Sequence, residues 1–339
     1  MKKISVVADA HIPYLQSLDK IADVTVLPPT AIDRGAIAGA DALIVRTRTR
    51  CDAGLLEGSH VKFVGTATIG LDHIDLAWCA AHGIKTANAP GCNAPAVAQY
   101  VFSSLMHIIN RPIAQYTLGI AGVGNVGRIV ERWGRSLGMR VMLCDPPRQR
   151  AEGGEGWSSL DDLAREADII TFHTPLTTEG ADPTLHLADS RFFSSLRRAP
   201  IIINAARGPV ADTEAWKEAI RSGQTGAAIV DCWEGEPDID RELLALADIA
   251  TPHIAGYSEA GKKRASQMVI DALTDAFGLP RTDTGLGVPP VPDSITPAVA
   301  LEGYDPFADT DMLRADPDSF ESLRDHYHLR KELRGAVAE

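Results

Sequence analysis

The sequence predicts an α/β protein built on two doubly wound parallel sheets, with a short C-terminal appendage. Three observations predict it. Short apolar runs alternate with helical patterns over roughly the first 280 residues. A glycine fingerprint, Gly122-x-Gly124-x-x-Gly127, stands between a strand pattern and a helix pattern. Two long helical stretches, 94–110 and 259–277, bracket the half of the chain that carries it.

The fingerprint organises the rest. Thr117 to Ala121 reads as a buried strand, the chain turns on Gly122 and Gly124, and a helix pattern runs from Asn125 to about Leu137. The first glycine permits the tight turn. The second leaves bare backbone for a pyrophosphate, and the third lets helix and strand pack closely. Asn125, Val126 and Gly127 then open the helix, whose N–H groups and dipole favour phosphate. A second apolar strand, Val141 to Cys144, ends on Asp145, roughly 20 residues on, where an acid suits a ribose 2′-hydroxyl. Asp145 would repel a 2′-phosphate and so favours NAD over NADP, although Arg148 and Arg150 lie close by. A Rossmann domain over 94–256 is expected.

Residues 1–93 alternate strands and helices on a smaller scale. Strands are expected at Ile4–Ala8, Val24–Leu27, Asp41–Val45 and Val61–Gly65, with helices at Tyr14–Ile21 and Asp75–His82. Residues 257–279 would return to complete this domain, which is expected to be flavodoxin-like, with the Rossmann domain inserted. Ligands in such sheets bind beyond the carboxyl ends of strands. Arg46, Thr47 and Thr68 fall there and are candidate substrate contacts. In Arg46-Thr47-Arg48-Thr49-Arg50 the three cations would share one face if the strand persisted. Residues 280–339 shift composition: a proline-rich linker, then a charged tail with scattered apolar residues, expected to pack on another surface.

Later strands of the Rossmann domain each end in polar residues. His173-Thr174-Pro175 follows one and is expected to line the cofactor cleft. Asn204-Ala205-Ala206-Arg207-Gly208 follows the next, then Asp231, then Thr251-Pro252-His253. Arg207, Glu236 and His253 are candidate catalytic residues on chemical grounds. Loss of a hydride from a hydroxy acid requires removal of the hydroxyl proton, which suits a neutral imidazole. A carboxylate beside it fixes the tautomer. A guanidinium can grip the substrate carboxylate and polarise the nascent carbonyl. Glu234 competes with Glu236 for the carboxylate role and ranks below it.

Composition narrows the classes. The net charge of −12 argues against nucleic acid or an anionic membrane as partner. No apolar run approaches the roughly 20 residues that span a bilayer, and Met1 to Val7 reads as a first strand and not as a signal peptide. Five cysteines in odd number, with no C-x-x-C spacing, point away from disulfides or zinc and toward the cytoplasm. No metal is expected.

Four motifs in order, Gly122 to Gly127, Asn204 to Gly208, Gly235-Glu236-Pro237 and Thr251-Pro252-His253, resemble those of the D-isomer-specific 2-hydroxyacid dehydrogenases. The resemblance covers roughly residues 1–280. It implies NAD as cofactor, catalysis by Arg207, Glu236 and His253, and a small phosphorylated hydroxy acid as substrate. It also implies substrate contacts at Thr47, Thr68 and Tyr257, and cofactor contacts at Asp145, Thr174, Pro175, Ala206, Asp231 and Gly256. Thr47 replaces an expected serine and keeps the hydroxyl. A homodimer is implied too, although the tail is short for a dimerisation domain. A dehydrogenase for phosphoglycerate or glycerate is the near alternative. An NAD-sensing binding protein is the distant one, and it would need no base.

Overall fold

The computed structural model describes residues 3–281 and 285–333. Met1 and Lys2, ahead of the first strand, and parts of the linker and tail (282–284 and 334–339) lie outside the described residues. The chain forms two compact units: residues 1–93 with 259–289, and residues 94–258 with 290–339.

The first unit is a five-stranded parallel sheet. Its strands are β1 (Ile4–Asp9), β2 (Ala22–Leu27), β3 (Ala42–Val45), β4 (Phe63–Thr66) and β5 (Lys85–Ala87), in the order β2-β1-β3-β4-β5. This is the flavodoxin-like order. Strands β3 and β4 are buried along their whole length, as near-continuous apolar runs covered on both faces should be. The helix Glu259–Phe277 covers one face, setting Val269, Ile270 and Leu273 against Phe63, Ile44 and Val6. Gly65 lets it approach: a Cβ there would lie 2.7 Å from Val269 Cγ1.

Three expectations for this unit need correction. Tyr14–Ile21 is not an α-helix; a short 3₁₀ turn, Gln16–Lys20, follows Pro13 and a left-handed Tyr14. The three-residue strand β5 escaped the periodicity, being too short to show one. The arginine run does not stay extended: β3 ends at Val45 and Thr49 N–H turns back to Arg46 O at 3.1 Å. Arg46, Arg48 and Arg50 therefore do not alternate on one strand face.

The second unit is a six-stranded parallel sheet: β6 (Thr117–Ala121), β7 (Arg140–Cys144), β8 (Ile169–Phe172), β9 (Ile201–Asn204), β10 (Ala227–Val230) and β11 (Ile249–Ala250). The order is β7-β6-β8-β9-β10-β11, with a lone parallel bridge Leu143–Trp157 outside β7. Winding reverses between β6 and β8, the switch point at which such sheets open a crevice. The helices Ala94–Ile108 and Asn125–Ser136 pack together on one face through Phe102 and the fully buried Trp133.

The segment after Pro290 is not a separate appendage. It packs on the second unit as the helices Pro297–Gly303, Pro306–Ala315 and Phe320–Asp325. Trp133 Nε1 donates to Pro292 O at 2.8 Å, and Ser103 Oγ to Ala300 O at 2.6 Å. Thr310 Oγ1 accepts from the Ala250 N–H at 3.1 Å, which closes the edge of β11. Leu313 and Phe320 are fully buried in the same core cluster as Phe172 and Trp233. Leu313→Ala should therefore destabilise the protein by about 2–5 kcal/mol, as truncation of a buried leucine does. A urea-unfolding midpoint unchanged by the substitution would show that the tail is not part of this core.

Candidate active site

All three candidate catalytic residues belong to the second unit and follow adjacent strands. Arg207 lies just beyond β9, Glu236 in the loop after β10, and His253 after β11. His253 Nδ1 lies 2.8 Å from Glu236 Oε2 and 3.1 Å from Oε1. Glu236 Oε1 also accepts the Trp233 N–H at 2.8 Å. Burial pushes the Glu236 carboxyl up, but the His253 charge and these hydrogen bonds outweigh it and leave the group below its usual value. The carboxylate is thus kept ionised beside the imidazole.

The loop bearing His253 is held by Asp231. His253 itself takes a left-handed conformation (φ +55°), and its N–H donates to Asp231 O and Thr251 O, both at 2.9 Å. The Asp231 carboxylate accepts Thr251 Oγ1 at 2.7 Å, Ile254 N–H at 2.8 Å and Ala255 N–H at 3.0 Å. Sequence reading placed Asp231 among the cofactor contacts and missed this work. No local pattern announces an aspartate whose partners lie 20 to 24 residues away.

Arg207 is fixed from behind. Asn204 Nδ2 donates to Arg207 O at 3.0 Å and to Gly208 O at 3.2 Å. Gly208 presses on the 233–234 peptide so closely that a Cβ would meet Trp233 O at 1.9 Å. Arg207 Nη1 donates to Ala206 O at 2.8 Å, and its charge reaches the buried Cys232 thiol. Glu234 is engaged elsewhere: its Oε1 lies 2.7 Å from His186 Nε2, and Thr213 Oγ1 donates to Oε2 at 3.0 Å. That separates the two glutamates which the sequence left in competition. Cys232, Glu236 and His253 present ligand atoms within 4.8 Å of one another. Burial holds the Cys232 thiol well above its usual value, so it is protonated.

At the switch point, Gly122 has φ +89°, and a Cβ there would lie 2.7 Å from the His173 carbonyl carbon and 2.8 Å from Thr174 N. Gly127 closes on Gly122 O, which a Cβ would approach to 2.2 Å. Gly124 has open space where a Cβ would stand. Asn125 is exposed and Val126 half-buried at the head of their helix. Asp145 accepts the Val123 N–H at 2.8 Å and the Arg148 N–H at 3.0 Å, leaving lone pairs for a further donor. Thr174 Oγ1 and His173 Nδ1 are buried without a hydrogen-bond partner. Bare glycine backbone, a helix N-terminus and unpaired polar atoms beside it fit a dinucleotide pyrophosphate. Pro175 is exposed, Ala206 buried and Gly256 half-buried. Tyr257 packs edge-to-face on Tyr327, centroids 5.9 Å apart.

In the first unit, Arg46 Nη1 donates to His11 O at 3.3 Å and Thr47 is exposed. Thr68 Oγ1 lies 2.7 Å from Thr66 Oγ1. All follow β3 or β4 at their carboxyl ends.

Fold and site together define an NAD-binding dehydrogenase class. Residues 96–255 match the family model described as the NAD binding domain of D-isomer specific 2-hydroxyacid dehydrogenase. The structure is similar to D-lactate dehydrogenase from Aquifex aeolicus complexed with NAD and lactic acid (TM-score 0.67, 25% identity, 80% of this chain and 96% of that one). It also has the fold of D-2-hydroxyisocaproate dehydrogenase (TM-score 0.68, 22% identity, 82% and 99% covered). Similarity extends further to erythronate-4-phosphate dehydrogenase of Bacteroides thetaiotaomicron, 46% identical over 97% of each chain. The enzyme of that name from Edwardsiella ictaluri is 43% identical over 97% of this chain and 93% of the other. The chain belongs to the erythronate-4-phosphate dehydrogenase family. Among the described residues, no helix is long and apolar enough to cross a membrane.

Two predictions follow from the cofactor side. Gly122→Ala must displace the His173–Thr174 peptide, so NADH affinity should fall by at least tenfold in a fluorescence titration; unchanged affinity would remove the turn from the cofactor site. Burial pushes His173 down to about 3. Between about pH 3 and 6.5 the unfolded chain binds a proton there that the folded chain refuses, so stability falls as pH falls. At pH 5 the loss is roughly 2 kcal/mol relative to pH 7, at about 1.4 kcal/mol per pH unit below 6.5. His173→Asn should flatten that part of the urea-midpoint profile, and an unaltered profile would refute the assignment.

Proposed function

We propose that the protein oxidises 4-phospho-D-erythronate at C2 to (R)-3-hydroxy-2-oxo-4-phosphooxybutanoate, with NAD, in the biosynthesis of pyridoxal 5′-phosphate. Family membership supports the substrate. The observation that carries the chemistry is the His253–Glu236 pair, at 2.8 Å, formed between the segments after β11 and β10, with Arg207 just beyond the neighbouring β9.

The geometry supports the following roles. With Nδ1 facing Glu236, His253 has Nε2 for the substrate hydroxyl and takes its proton as C2 becomes a ketone. Glu236 stays ionised, fixes the imidazole tautomer and stabilises the imidazolium that forms. Arg207 holds the substrate carboxylate and polarises the nascent carbonyl. A bound NAD would supply the hydride acceptor for C2. Gly122, Gly124, Asn125, Val126 and Gly127 would receive its pyrophosphate, Asp145 its ribose, and His173, Thr174, Pro175, Ala206, Asp231 and Gly256 its remaining length. Arg46, Thr47, Thr68 and Tyr257 are proposed as substrate contacts. The reading extends to a cytoplasmic homodimer: five free, buried cysteines support a reducing compartment, and the dimer rests on the family resemblance.

The test is NADH formation with 4-phosphoerythronate beside 3-phosphoglycerate and glycerate, with a 2-oxo acid present to re-oxidise bound cofactor in a parallel run. Preference for the four-carbon phosphate is expected. Preference for another acid would keep the chemistry and overturn the substrate, and inactivity with NAD bound would favour a sensor. His253→Ala should lower kcat by about 10²–10⁴-fold, the usual worth of a positioned proton carrier, with NAD affinity retained. Parallel loss of both would make His253 structural.

A further inference from the structure

The last described stretch of the chain grips the loop that carries His253. Buried Arg330 donates from Nη1 to Ile254 O at 3.0 Å and from Nη2 to Ala255 O. Ser258 Oγ donates to Glu332 Oε1 at 2.6 Å, and Tyr327 packs on Tyr257. The helix Phe320–Asp325 lies just ahead: its Phe320 is buried in the same core cluster as Trp233, whose N–H donates to Glu236, and the Tyr327 that packs on Tyr257 donates its N–H to Arg324 O at 3.4 Å.

Arg324 on that helix has a different character. Its Nη1 donates to Glu321 at 2.7 Å, and its guanidinium carbon sits 5.7 Å from the Phe320 ring centroid. Its Nε is buried and has no hydrogen-bond partner. Its charge is felt by Glu236 and Cys232. It does not pair with Glu236, whose oxygens face His253 and the Trp233 N–H. A cation there gives no help to the base, because it opposes the imidazolium that His253 must become. What it offers is a planar donor edge that an anion can use, with a geometry suited to phosphate.

We propose that Arg324 binds the phosphate of the substrate, so that the C-terminal segment sets the preference for a phosphorylated hydroxy acid. The proposal rests on the function proposed above, and names the residue that recognises the group distinguishing this substrate from a simple hydroxy acid.

The test compares full-length wild type, Arg324→Gln and Arg324→Lys on 4-phosphoerythronate and on unphosphorylated erythronate, with inorganic phosphate as competitor. In Arg324→Gln the KM for the phosphate ester should rise tenfold or more. Turnover of erythronate should stay within about threefold, and inhibition by phosphate should weaken in step with KM. Arg324→Lys, which keeps the charge and loses the fork, should fall between. Equal losses on both substrates with phosphate inhibition intact would overturn the proposal and make Arg324 a prop for Glu236 or Tyr257. NAD affinity of each variant checks that the second unit is folded. If wild type fails to oxidise 4-phosphoerythronate at all, the assigned function falls separately. Calorimetric titration of NAD-loaded protein with inorganic phosphate then decides: weaker binding in Arg324→Gln supports the anion site, and equal binding overturns it.

Discussion

The buried carboxylate of Asp231 is the constraint on which the site depends. It sits at the end of β10, 1% exposed, where an unpaired charge would be costly. Burial raises its carboxyl above the usual value, and the His253 charge, Thr251 and the N–H groups of Ile254 and Ala255 offset that only in part. Those same donors fix the backbone on both sides of His253, so solvating the carboxylate and placing the imidazole are one arrangement. Thr251 extends it: its hydroxyl meets the Tyr100 hydroxyl at 2.8 Å, tying the loop to the buried helix Ala94–Ile108. Asp231 therefore positions His253.

Much of this was legible because it is local. The strands of the second unit read as apolar runs because parallel strands covered on both faces have no polar side. The fingerprint glycines declare a turn by their own stereochemistry, and Gly122 and Gly127 do meet backbone where side chains would not fit. Arg207, Glu236 and His253 stand in short motifs after strand ends, and the structure sets the His253 ring against the Glu236 carboxylate. What failed was set by small or distant effects. A proline and a left-handed Tyr14 replaced the expected helix with a 3₁₀ turn, and a turn after Val45 cancelled the arginine alternation.

The tail shows the other limit. Its apolar residues are too few for a core of their own, which suggested that they would pack on some other surface. They do, but the surface is the second unit itself. Leu313 and Phe320 join the core on one face of its sheet, and Ile295, Ala300 and Leu333 the core on the other. Sequence pattern gives the existence of an apolar face and not its address, since the partner residues lie far away in the chain, as Val97, Ala98 and Val101 do from Leu333. The polar half of the tail was equally silent. Arg330 reaches the carbonyls of Ala96, Ile254 and Ala255 through contacts that no spacing rule anticipates.

A chain of net charge −12 acting on a carboxylate that also bears a phosphate looks like an electrostatic contradiction. It is resolved by position, because long-range charge is screened within about 8–10 Å at ordinary ionic strength while groups lining a site are not. The second unit brings the charges of Arg207 and Arg324 to bear on Cys232, and that of Arg324 on Glu236, and turns the N-terminus of the helix Asn125–Ser136 to the switch point. Meanwhile several surface acids are neutralised locally: Glu152 by Arg148, Asp182 by Arg150, Glu166 by Arg140. Part of the acidic surplus is thus neutralised where it lies, and the local cations remain able to receive a small anion.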